Sequence, residues 1–64
     1  MDLLMMYKYA YWGVIEELKT LTKLYNMCVE VSDGDAAEEY ENAIQKCIDN
    51  KAMISTILRG LQED

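Results

Sequence analysis

The chain has 64 residues, 52% of them hydrophobic and 28% charged, with twelve acids against six bases for a formal net charge of -6. That size allows one domain, near the lower limit at which a single core stabilises a fold unaided, and the apolar content excludes a disordered tail. The acidic balance disfavours anionic membranes and nucleic-acid backbones, and the lack of any histidine removes the commonest general base and metal ligand.

The N-terminal stretch from Met1 to Ile15 is apolar but interrupted by Asp2 and Lys8. A signal peptide needs a positively charged start, and a spanning helix needs about 20 apolar residues, so neither is expected and the chain is read as cytoplasmic, with no membrane partner. From Leu4 the apolar residues Leu4, Tyr7, Tyr11, Val14, Leu18, Leu21, Tyr25 and Cys28 recur at strict three- and four-residue intervals. This spacing draws one stripe along a helix and predicts a first helix over about 3–31.

The same helix carries further apolar residues away from that stripe. Met5, Met6, Tyr9 and Trp12 lie near its start and Leu24, Met27 and Val31 near its end, with Glu16, Glu17, Thr20 and Lys23 between. A helix that is apolar on two sides packs on two sides. Met5, Tyr9, Trp12, Leu24, Met27 and Val31 are therefore the candidate contact residues, either as the core of a dimer or as a docking face for another protein. Tyr and Trp are enriched at binding hot spots because they bury much area with few rotors.

The strong turn signal is Ser32-Asp33-Gly34-Asp35, which predicts a turn over 32–35. Gly34 suits the left-handed residue that closes a helix, and Asp35 with Glu38 reads as an N-cap and capping-box acid. Beyond the turn the stripe resumes as Ala37, Tyr40, Ile44, Cys47, Lys51, Ile54, Leu58 and Leu61, with Lys51 the polar exception, which predicts a second helix over about 36–62. Its main outward apolar residue is Met53. So short a loop makes the helices antiparallel neighbours. The expected fold is all-α, a single hairpin domain over 1–64 that dimerises into a four-helix bundle, since association is the source of extra burial left open to so small a chain.

Glu30, Asp33, Asp35, Glu38, Glu39 and Glu41 concentrate six acids and no base around the turn. They cap and solvate that end, and they could also steer it towards a basic surface on a larger protein. Asp33-Gly34-Asp35 is not a calcium loop, because an EF-hand counted from Asp33 would need a ligand and then Gly where Ala37 and Glu38 stand. Cys28 and Cys47 are too few for a zinc site. With the turn centred near Gly34 they fall on the order of 10 Å apart along the hairpin, too far for a disulfide, as a reducing compartment would have it. Gly13, Gly34 and Gly60 are isolated, so no phosphate-binding loop is present. No cofactor, metal or catalytic residue is expected.

Lys8, Lys19 and Lys23 fall broadly on one side of the first helix. In size and hairpin architecture the chain resembles the small dimeric RNA-loop-binding bundle that regulates plasmid copy number; the resemblance is of shape, with no shared motif, and it implies RNA binding through one helix face of a dimer. The leading expectation is instead a non-enzymatic protein-binding protein that inhibits or regulates a larger one, in the manner of small acidic inhibitors made by phages and mobile elements. A purely structural or regulatory homodimeric bundle is the alternative.

Overall fold

The computed structural model describes residues 2–62. Two helices, α1 (Leu3–Glu30, 28 residues) and α2 (Gly34–Gln62, 29 residues), form a hairpin about 50 Å long and 17 by 12 Å across. No strand occurs among the described residues.

α1 starts where Asp2, in extended backbone, accepts the Met5 N–H on its carboxylate at 2.8 Å. This satisfies one of the orphan donors of the first turn. Both seam stripes pack as the spacing predicts. Every residue from Leu4 to Cys28 and from Ala37 to Leu61 in those two series is at least half-buried, Lys51 included, while the positions between are mostly exposed. Cys47 is the one buried residue among those described, at 4% exposure. Two helices enclose a seam and no interior, because each seam side chain has a neighbour on one side only.

The turn differs from expectation in which residues do the work. Ser32, with φ 59°, holds the left-handed position, and no glycine has positive φ. The Ser32 N–H donates to the Val29 carbonyl at 3.1 Å and the Asp33 N–H to the Cys28 carbonyl at 2.9 Å. These are the two bonds of a Schellman closure, with Val31 as the C-cap. Asp33, not Asp35, caps α2: its side chain accepts the Ala36 N–H at 3.2 Å, and its carbonyl accepts the first helical bond from Ala37 at 3.0 Å. Gly34 and Asp35 are thus already helical, and Glu38 stands too far along to complete a capping box. The reason is registry. Ending α1 at Glu30 and restarting at Gly34 brings Cys28 and Ala37 together at the foot of the seam, where they line one surface depression with Ser32 and Gly34.

That registry also corrects the spacing of the cysteines. With Cys28 level with Ala37, Cys47 lies ten residues further along, about 15 Å away. Both thiols are free.

Candidate functional site

Burial separates the predicted contact residues into two groups. Met5 is 40% exposed, Tyr9 62% and Trp12 69%, so this trio stands in solvent on a helix already paired on its opposite side. Their spacing of four and three residues puts them on one stripe about 60° wide. Trp12 shares a shallow depression with Lys8, Tyr11, Ile15, Glu16 and Lys19. Lys19 pairs with Glu16 at 3.5 Å, an exposed i,i+3 contact that adds little stability.

The other trio lies about 27 Å along α1, counted from Tyr9 to Met27. Met27 and Val31 are exposed there, whereas Leu24 is half-buried. Leu24 directly precedes the seam residue Tyr25 and is half-buried, so it is not the outward residue its spacing suggested. The expected second face is moreover two faces. Residues one position before each seam residue, such as Met6, Leu24 and Met27, fall on one side of the hairpin; residues one position after, such as Met5 and Trp12, fall on the other. A second depression, lined by Leu3, Met6, Tyr7 and Ala10, marks that first side.

Leu3, Val29 and Ile48 are further exposed apolar residues, outside the predicted contact set. Leu3 and Val29 each adjoin a stripe member, and attention to the neighbours of Leu4 and Cys28 would have found them. Met53 is outward as expected, at 57% exposure.

The six acids Glu30, Asp33, Asp35, Glu38, Glu39 and Glu41 are all exposed around the turn. Asp33 is occupied as the cap, which leaves the others solvated. Among the described residues no group of three or more His, Cys, Asp or Glu side chains could hold a metal ion, and no helix is long and apolar enough to cross a membrane.

Cys47 holds its thiol proton more tightly than an ordinary cysteine does. Burial pushes its thiol pKa up, and the nearby Glu17 adds to this through its negative charge and a hydrogen bond to the thiol. A thiol held protonated is a poor nucleophile.

Compared with known proteins, the chain matches no protein-family model, no curated protein and no solved structure.

Proposed function

We propose that the chain is a non-catalytic, cytoplasmic protein-binding module, acting as a homodimer, that inhibits or regulates a larger protein by seating the Met5, Tyr9 and Trp12 stripe of α1 in an apolar groove of that partner. The observation that carries this reading is the exposure of Tyr9 and Trp12 on the outside of a helix whose own hairpin partner occupies its other side. Three large side chains at i, i+4 and i+7 are the anchor pattern of helix-in-groove recognition. The hairpin presents them preformed, so little ordering entropy is lost on docking. The acidic tip supplies long-range attraction to a basic surface, which raises the association rate and fades as salt screens it.

Replacing Tyr9 and Trp12 by Ala tests the docking face. Helicity and sedimentation should be unchanged, while capture of the partner from the source cells is lost. If the variant unfolds or changes its oligomeric state, the face is structural and the reading fails. Replacing Glu38, Glu39 and Glu41 by Gln should weaken capture and flatten its salt dependence; unaltered affinity would leave the tip only a capping and solubilising role.

A second reading is favoured by one feature of the same stripe. Lys8 and Lys19 line the same depression as Trp12, and an aromatic ring beside basic side chains suits an RNA base stacked near its phosphates. The net charge of -6 opposes it. Quenching of Trp12 fluorescence by an RNA stem-loop, abolished by Lys8→Ala with Lys19→Ala, would favour it over a protein partner.

A further inference from the structure

We infer that one wall of the groove receiving the Met5, Tyr9 and Trp12 stripe is an acidic amphipathic helix of the partner, lying in the valley between α1 and α2 on the Trp12 side of the hairpin. The inference rests on the protein-docking reading and adds the chemistry of what docks. Charge placement, the apolar content of the valley and backbone hydrogen bonding carry it.

The two sides of the hairpin carry different charge patterns. Residues preceding the seam positions of both helices share one side, and residues following them share the other. The preceding rows mix Glu17 with Lys46 at mid-length and add Glu39 near the turn. The following rows carry Lys8, Lys19 and Arg59 away from the turn and Glu38 and Glu41 beside it. In the register that sets Cys28 level with Ala37, Arg59 stands level with Met6 and Glu41 with Leu24. The three cations therefore fall along the stretch from Met6 to Lys19, and the nearest acid on this side lies about 18 Å along the axis from Trp12, beyond the ~8 Å screening length. Glu16 borders the stretch and pairs with Lys19 at 3.5 Å, whereas Lys8 and Arg59 pair with no acid among the described residues. A chain of net charge -6 thus presents a locally basic surface around its only tryptophan. Carboxylates on the docking segment complement that surface, and lysines there would be repelled.

The same stretch is apolar at its centre. Met5, Trp12 and Ile48 are exposed and Ile15 is half-buried. Trp12 and Ile15 line one depression with Lys8 and Lys19. Phosphates would satisfy the lysines, but nucleic acid has little aliphatic surface with which to cover Met5, Ile15 and Ile48. An amphipathic helix covers them with its apolar stripe and sets its acids on the flanks.

The backbone groups of α1 and α2 bond within their own helices, so an extended segment laid between them would find no edge to pair with. A docked helix brings its own backbone hydrogen bonds. From Met5 to Lys19 is about 21 Å, which corresponds to roughly 14 residues of such a helix, or four turns.

Trp12 emission reports docking directly. A synthetic helix-forming peptide of that length, with leucines at three- and four-residue spacing and glutamates beside them, should shift the emission to the blue in a saturable way, and added salt should weaken it. The same peptide with lysines in place of the glutamates should bind about tenfold more weakly. Lys8→Glu with Arg59→Glu should reverse the order of the two peptides and leave circular dichroism unchanged, because both side chains are exposed. Should that variant lose its helical signal, Lys8→Gln with Arg59→Gln takes its place and should erase the preference. An acidic preference that survives these substitutions would overturn the assigned face. Equal binding of both peptides to the unaltered protein, or a preference for the lysine peptide, would overturn the acidic assignment. So would failure of the acidic peptide to bind, whether or not an RNA stem-loop moves the emission. Any of these leaves the docking reading standing if Tyr9→Ala with Trp12→Ala still abolishes partner capture; capture that survives that variant overturns both.

Discussion

At the residue scale the turn shows how one position takes over the task of another. Ser32 adopts the left-handed conformation for which Gly34, two residues on, is better suited, and a side chain there costs roughly 1 kcal/mol or more. Ser32→Gly should therefore raise the urea midpoint by the equivalent of about 1 kcal/mol with no change in slope. The cap is tested in the same way. Asp33→Ala should cost about 1 kcal/mol through loss of the bond to the Ala36 N–H, whereas Asp35→Ala, which leaves that bond intact, should cost only a few tenths through the helix dipole. Equal effects would return the cap to Asp35. The turn was legible in Ser32-Asp33-Gly34-Asp35, but its assignment was not, because both Asp33 and Asp35 are good caps in isolation. What decides between them is where α1 must stop for Cys28 to meet Ala37.

Cys47 is the second residue with a specific expectation. Its proton is held more tightly in the folded chain than in the unfolded one, so between those two pKa values the folded state binds more protons. The associated stability is complete at neutral pH and is lost as pH climbs past the ordinary thiol value of about 8.5. Thermal melts at rising pH should show a decline that Cys47→Ala flattens. In the native protein a maleimide should label Cys28, which is half-exposed, well before Cys47.

At the scale of the element, α1 and α2 were readable from periodicity alone, to within two residues at each end. Eight positions in each helix keep three- and four-residue spacing, and all sixteen pack on the seam. Lys51 tests how much of that packing is hydrophobic, since it sits half-buried between Cys47 and Ile54 in the stripe. Lys51→Leu should stabilise the hairpin by about 1 kcal/mol, measured as a higher denaturation midpoint. An unchanged or lower midpoint would mean that the ammonium group has a partner or a register-setting role. The outward residues were less legible. Met5, Tyr9 and Trp12 did prove exposed, but grouping them with Leu24, Met27 and Val31 ignored the slow drift of a heptad seam around a straight helix, about 20° for every seven residues. Over the 18 residues from Tyr9 to Met27 the drift amounts to about 50°, and position beside the seam does the rest, since Met5 and Trp12 follow seam residues whereas Leu24 and Met27 precede them.

At the scale of the whole molecule, a single buried residue and ten large hydrophobic side chains in solvent among the described residues leave much apolar surface uncovered by the hairpin itself. If a second copy covers part of it, the melting temperature must rise with protein concentration, because association stabilises only the folded state. Melting independent of concentration over a hundredfold range would place the whole stability in one hairpin.

The sequence by itself determined the two helices, the seam that joins them, the position of the turn and the acidity of the tip. These depend on local propensity and on the 3.6-residue period, which act between residues close in the chain. Tertiary structure decided which aspartate caps α2, which residue turns left-handed, how far apart the cysteines lie and on which side of the hairpin each outward residue falls. Each of those depends on the register between helices, and register is set by side chains that meet only after the chain has folded back on itself.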